Sequence, residues 1–385
     1  MSIRLDRTID DIRASLFARI EAVQDEYASK GWLPRRLNLN KGVVRGIIEI
    51  YAWGSWQLYN FLSVIHKEAI PSESSGEWLD LHASQVDLKR KPATKAKGNV
   101  LFYRAENLRL GNIRIPQGRI LRTPPDGDGN VYRFVTDQLA VLPEGANFVA
   151  VPVTAEEYGQ GSNATVGQIC ELVTPVEGIG AVGNAADWLT DEGADEEGDV
   201  SLRQRYQLAW KSQAGVTRAA YEKAAYSVPG VLYVYVADQH PRGEGTVDVV
   251  VQGAAGMPTA NLMAKVREAL DDAIVINHDL EVKAPRPVNI NVQGVIEVLS
   301  GHTKKILLDA ENAVRKMFSS TEPDELPRFS LGNDVIRDRL AAGFINHAFV
   351  KRVRWSSPAG DITIEPDQLP VLNKLEFSID WVSEP

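Results

Sequence analysis

Residues 215–252, GVTRAAYEKAAYSVPGVLYVYVADQHPRGEGTVDVVVQ, decide the fold class. Thr217 stands at an N-cap position, where its hydroxyl can accept an orphan backbone N–H of the first helical turn. The Ala-rich run Arg218–Ser227 is helix-compatible, and Pro229–Gly230 stops it and turns the chain. Val231–Ala237 then alternates, with Leu232, Val234 and Val236 on one face and Val231, Tyr233 and Tyr235 on the other. That period of two predicts a strand. The polar, Gly-rich stretch Asp238–Gly245 predicts a loop and Thr246–Val251 a returning strand. A second helix, capped by Thr259 behind Pro258, turns Leu262, Val266, Ala269 and Leu270 inward. Strand material resumes near Leu280–Lys283. The order α-β-β-α-β with short connections describes a small α+β sandwich. No reactive group sits at its centre, so it reads as a scaffold.

Working outward, the 385 residues have room for roughly two to four domains. The expected fold is α+β and multidomain. Its parts are N-terminal bundle-forming helices over 1–70, a linker with a short helix over 71–97 and a β-rich domain over 98–200. Two α+β sandwich modules follow over 201–286 and 287–385. The second repeats the first loosely: a long strand Val288–Val298, a helix His302–Phe318, a Pro-rich loop Glu322–Pro327 and a helix near Asp334–Ala342. Strands near Val350–Trp355, Ile362–Ile364 and Lys374–Ile379 complete it.

Two N-terminal segments carry helical periodicity. In Thr8–Ala28, Ile9, Ile12, Leu16, Ile20, Val23 and Tyr27 are spaced by three and four. After a break over Gly31–Asn40, Lys41–Ala69 predicts a longer helix. Its seam Val44, Ile48, Tyr51, Ser55, Leu58, Leu62, Ile65 and Ala69 steps by four and three, as in a heptad repeat. Trp53, Trp56, Tyr59 and Phe61 lie off the seam, so this helix is apolar on more than one side and needs partners on both. It forms either a hairpin packed on its own chain or a bundle shared with other subunits. The candidate interface residues are Val44, Ile48, Tyr51, Trp53, Trp56, Leu58, Leu62 and Ile65.

Charge narrows the partners. The net charge of −9 argues against nucleic-acid binding by the chain as a whole. Residues 1–100 hold 15 Lys+Arg against 12 Asp+Glu, and the remainder 27 against 39, an asymmetry that suits assembly with oppositely charged neighbours. The basic run Lys89–Lys97 reads as a solvated linker or as a contact to an acidic neighbouring subunit. The acidic run Asp191–Asp199 reads as a solvated loop, with a hard cation as the alternative. No apolar run approaches the roughly 20 residues that span a bilayer, and the N-terminus lacks the apolar core of a signal peptide. A single cysteine, Cys170, leaves no internal disulfide framework and fits a reducing compartment.

Motifs that would carry chemistry fail on context. Gly178–Gly183, GIGAVG, matches a dinucleotide fingerprint in letters. The NAADWLTDEGADEEG that follows does not open a helix toward a pyrophosphate. Asp126, Asp128 and Asn130 begin like a calcium loop, but Val131 and Asp137 stand where Gly and Glu are required, which leaves a β-turn. The six histidines lack metal-ligand spacing. The reading is no catalytic residue, no cofactor and no metal.

Five stretches, in order, resemble one family: Gly76–Phe102 (GEWLDLHASQVDLKRKPATKAKGNVLF), Ile115–Leu121 with Tyr132–Thr136, Ala155–Ile169, Ile179–Ala185 and Asp195–Val231. Together they are similar to the baseplate J-like proteins, wedge subunits of contractile phage tails and related injection machines. The resemblance implies a non-enzymatic virion protein of the tail baseplate, made and assembled in the bacterial cytoplasm. It implies that a second copy and a second wedge protein join through the N-terminal helical bundle. Neighbouring wedges in a ring, contacted through the C-terminal module 287–385, the central hub or spike and sheath-initiator proteins are the other implied partners, and the subunit would transmit the change that triggers contraction. Motion of the modules would occur about Pro71–Gly76 and Gly193–Gly198. The competing expectation is a tail-associated polysaccharide or cell-wall hydrolase with paired carboxylates.

Overall fold

A computed structural model describes residues 7–32, 41–105, 111–126, 129–212, 217–271, 273–274, 277–299, 303–318, 328–345 and 349–381. Readings placed on residues 33–40, Asp128, His302 and the 322–327 loop lie outside them. The chain divides into two compact units, Met1–Lys89 and Arg90–Pro385.

The first unit is helical: α1 (Ile9–Ser29), α2 (Val43–Glu68) and α3 (Gly76–Ser84). Thr8 and Asp11 form a reciprocal capping box at the start of α1, each satisfying a backbone N–H that the helix itself leaves unpaired. The PSESSG stretch after α2, expected as a flexible break, is a pinned turn. Glu68 is buried there; its carboxylate accepts the Ser75 N–H at 2.8 Å and the Ser75 hydroxyl at 3.2 Å. His82 Nε2 meets the Glu68 carbonyl oxygen at 2.9 Å.

The second unit begins with an antiparallel β-domain. Its strands are β1 (Lys97–Arg104), β2 (Ile113–Ile115), β3 (Ile120–Arg122), β4 (Arg133–Thr136) and β5 (Ala140–Leu142). They continue as β6 (Phe148–Ala155), β7 (Glu171–Leu172), β8 (Ile179–Gly183) and β9 (Leu189–Asp191). The main sheet runs β7-β3-β4-β6-β1-β8, with β9 also on β1 and β2-β5 as a separate pair. Its ends approach each other, giving a nearly closed barrel. Alternate residues of each strand point inward, so Val100, Phe102, Leu121, Phe134, Val151 and Val153 fill the interior. Trp188 closes it, edge-on to Phe134 with ring centroids 5.6 Å apart and its indole N–H on the Ala164 carbonyl at 2.8 Å. GIGAVG is simply β8, paired antiparallel to β1.

Helices α4 (Asp199–Lys211) and α5 (Arg218–Tyr226) lead to β10 (Val231–Ala237), β11 (Thr246–Gly253), α6 (Ala260–Asp271) and β12 (Asp279–Lys283). Thr217 occupies the N-cap of α5 as expected, but its side chain makes no capping bond. Pro229–Gly230 turns the chain with Gly230 at φ +91°, a conformation glycine adopts without Cβ strain. The strict alternation expected of β10 fails at one place: Val231 and Val236 are both buried. A register shift between Val231 and Tyr233 swaps the faces, as a bulge does.

The last part comprises β13 (Arg286–Val298), α7 (Thr303–Phe318), a 3-10 turn at Arg337–Ala341 in place of the expected helix, β14 (Val350–Ser357) and β15 (Gln368–Trp381). Ile362 makes only an isolated bridge to Val335 where a strand was expected. The two three-stranded sheets share a plan. In each, a central strand has one antiparallel and one parallel neighbour: β10-β11-β12 and β14-β13-β15. A helix lies in the connection between the parallel strands, α6 in the first and α7 in the second, as parallel pairing requires a crossover.

Both charged runs read as solvated are corrected by the structure, which folds one onto the other. Arg90 donates to the Glu197 carbonyl at 2.6 Å and to Asp199 Oδ1 at 2.7 Å. The Lys91 N–H meets Glu197 Oε2 at 3.0 Å, and Lys91 Nζ reaches the Val231 carbonyl at 3.1 Å. Glu197 is also paired with buried Arg205 of α4. Glu192 is buried too, accepting the N–H groups of Ala255 at 3.2 Å and Thr259 at 2.8 Å. Burial raises its pKa, and the hydrogen bonds from Thr259, Ala255 and Ala254 oppose the rise. Buried carboxylates persist only with such partners. The Gly193–Gly198 loop is therefore a joint between β9, α4 and the β11–α6 turn, not a slack hinge.

Candidate assembly interface

In the helical unit, α1 and α2 pack side by side. Ile12 of α1 and Ile48 and Ala52 of α2 are buried between them, with Leu16, Ile20, Val44, Trp56 and Tyr59 half-buried. Polar clasps fix the pairing. Glu49 accepts Arg13 Nε at 2.7 Å and Arg45 Nη2 at 3.1 Å, and the hydrogen bond from Arg13 holds its carboxyl below the usual range. Arg45 lies over the Phe17 ring at 5.3 Å and Arg7 over Tyr59 at 5.2 Å.

The opposite face of α2 is apolar and exposed. Val43, Ile47, Ile50, Tyr51, Trp53, Leu58, Phe61, Leu62 and Val64 are each between 48% and 80% exposed. Val43, Ile47, Ile50, Gly54, Leu58, Phe61 and Ile65 step by four and three, a continuous stripe along a 3.6-residue helix. The helix thus carries two apolar stripes in the same 26 residues, one used by α1 and one open.

Of the eight residues expected at the interface, Tyr51, Trp53, Leu58 and Leu62 lie exposed on or beside the open stripe. Ile65 is half-buried. Ile48 is buried against α1, and Val44 and Trp56 are half-buried on that inner side. Val43, Ile47, Ile50 and Val64 escaped the sequence reading because a single seam was traced. The second stripe, offset by one residue from the first at its start, was the available signal.

Chemistry-bearing groups do not converge comparably. Among the described residues no cluster of three His, Cys, Asp or Glu side chains could hold a metal ion. Asp126 accepts the Asn130 N–H at 2.8 Å. None of the described helices is long and apolar enough to cross a membrane.

Two family models match the chain. The baseplate J-like protein barrel domain matches residues 99–191, and the baseplate J-like central domain matches residues 213–295. The chain carries two domains of the baseplate J-like family. The first match coincides with the nearly closed barrel, and the second runs from just before α5 through the β10-β11-β12 module into β13. A relative in Haemophilus phage HP1, described as "Putative baseplate protein gp29", is 28% identical over 68% of this chain and 69% of its own. The uncharacterized protein YqbT of Bacillus subtilis is 28% identical over 55% of this chain and 54% of its own, about half its length. A chain of the anti-feeding prophage baseplate superposes loosely, with a TM-score of 0.39 at 12% identity, covering 92% of this chain and 90% of that one.

Proposed function

We propose that this chain is a structural wedge subunit of a contractile-tail baseplate, joined to its neighbours through the open face of α2. The observation that carries the assembly role is that face. Nine large apolar side chains stand exposed along one helix, and contiguous apolar patches of that kind mark interaction sites. Burying each fully is worth about 1.5–3 kcal/mol. Burying half of that surface already rivals the roughly 4–15 kcal/mol lost in rigid-body freedom, so a lasting contact fits better than a transient one.

The occupant of that face is a set of helices from a second copy and from a second wedge protein. Neighbouring wedges, the hub and the sheath-initiator proteins are contacted by other surfaces, and the subunit passes on the rearrangement that releases sheath contraction. Its place is the tail baseplate, after assembly in the host cytoplasm. The two baseplate J-like domains and the relative described as a baseplate protein support this reading.

Native mass spectrometry of the chain, alone and co-expressed with the products of adjacent genes, tests it. A defined hetero-oligomer with two copies of this chain is expected. A chain that stays monomeric with every neighbour, or that cleaves cell-wall or capsule polymer, overturns the proposal.

A further inference from the structure

Three parts of the second unit meet around a cleft of about 510 Å³: the barrel loop over 160–168, the turn after β11, and the end of α7 with the start of β15. Its walls are apolar, with Met257, Phe318, Leu369 and Leu372 among them. Its polar side chains offer donors in excess. Gln252 is 3% exposed, and its side-chain oxygen accepts the Leu331 N–H at 2.8 Å, which leaves its amide nitrogen without a partner among the described residues. Gln168 accepts the Thr165 N–H at 2.8 Å and likewise keeps its amide nitrogen open. Arg315, exposed in the last turn of α7, makes no ion pair among the described residues. The amides of Gln160 and Asn163 are already spent on Asp195 and Gly193, and no Asp or Glu lines the cleft.

A buried donor left without an acceptor is costly. A guanidinium and two amides beside an apolar wall match a carboxylate flanked by apolar groups. Here that carboxylate belongs to a chain and not to a small molecule. The cleft opens at Met257 into a second one of about 790 Å³, along the seam between Trp188–Thr190 and Pro258–Asn261. The two together exceed the roughly 300–1,000 Å³ usual for a small ligand. The second cleft carries Asp187, so only the Arg315 end favours an acid. We propose that this groove receives an extended segment of another baseplate protein, with an Asp or Glu at Arg315 and an apolar side chain against Phe318 and Met257. The proposal rests on the reading that the chain works as an assembled subunit, and it uses a surface other than α2.

Met257 is 38% exposed where the two clefts meet. The probe is a photoreactive benzoylphenylalanine in place of Met257, in the full-length chain co-expressed with the products of adjacent genes. Irradiation and mass spectrometry of the linked peptides should give a crosslink to a partner protein, within a few residues of an Asp or Glu. Arg315→Glu should lower its yield about tenfold, because like charges then face each other, and changing the mapped acid to Lys should restore it. Gln168→Glu should also lower the yield. Both positions are exposed, so neither variant should shift the melting temperature. The competing occupant is the acidic run 322–325, which follows Phe318 in the sequence and lies outside the described residues. Crosslinks in which both peptides come from this chain, in one copy or in two, overturn the proposal. So do a yield indifferent to Arg315→Glu, a lost yield that the partner's Lys does not restore, and a hetero-oligomer that forms without the crosslink. Failure to form any hetero-oligomer overturns the assembly reading, and this site with it.

Discussion

The backbone N–H of Lys91 donates to Glu197 Oε2 at 3.0 Å, across 106 residues of sequence. The same carboxylate pairs with Arg205 and accepts the Ser201 hydroxyl at 3.0 Å. One side chain thus ties the segment entering the barrel to the helix leaving it. Glu197→Ala leaves the Arg205 guanidinium, only 8% exposed, without this partner. Breaking a buried ion pair on one side costs about 3–5 kcal/mol. The urea midpoint should fall accordingly, and an unchanged midpoint would refute the tie.

Gly253 sits where any Cβ would collide with the Glu192 carboxylate. Glu192 cannot withdraw without giving up the Ala255 and Thr259 N–H groups. Gly253→Ala should therefore destabilise by about 1–3 kcal/mol, read as a lower melting temperature. Gly230, where an added Cβ would meet only Leu262 at an ordinary contact distance, fails by a different route, through its positive φ.

The two faces of α2 should respond differently to the same change. Ile48→Asp buries an unpaired charge against α1 and should unfold the helical hairpin, lowering far-ultraviolet ellipticity. Leu58→Asp with Leu62→Asp alters exposed positions, so it should leave helicity unchanged and abolish co-purification with a helical partner. Loss of helicity in the second variant would count against an open face.

Acid should weaken the fold through particular carboxylates. The hydrogen bond from Arg352 holds Glu297 below its ordinary value, against burial, with the charges of Arg352, Arg354 and Lys351 adding to it. At Asp248 burial pushes the pKa up, but hydrogen bonds from Lys283 and Arg242 outweigh it and the net direction is down. A group depressed in the folded state binds fewer protons there than when unfolded. Its contribution is present above the unfolded value and is lost as pH falls through the folded one. Stability should therefore decline below the ordinary values of 4.5 for Glu and 3.8 for Asp. Glu192, raised by burial, has the opposite sign: its contribution is lost as pH rises through a folded value above 4.5. Urea midpoints measured from about pH 3 to 7 should show a shallower acid decline in Glu297→Gln, and an unaltered slope would exclude Glu297 as a contributor.

The sequence by itself determined the α-β-β-α-β module, because Pro229–Gly230 and the alternation of Val231–Val251 are local signals read through one turn or one strand. It determined the two apolar helices for the same reason, and the five ordered stretches carried the family likeness. It also showed that α2 is apolar on more than one side, without showing which stripe α1 would take. That choice depends on the clasp of Glu49 by Arg13, 36 residues earlier in the chain, and so only the tertiary structure decided it. The charged runs were misread as solvated for a related reason. Composition reports that Lys89–Lys97 and Asp191–Asp199 are polar, but burial of a carboxylate depends on partners 63 to 106 residues away. Backbone N–H groups at Lys91, Ala255 and Thr259 carry no signature in any side chain. Strand pairing has the same character: β15 becomes an edge only because the segment between β14 and β15 carries the chain past β13 to its other side. Local periodicity fixes elements, and long-range hydrogen bonding fixes which of their faces remain open.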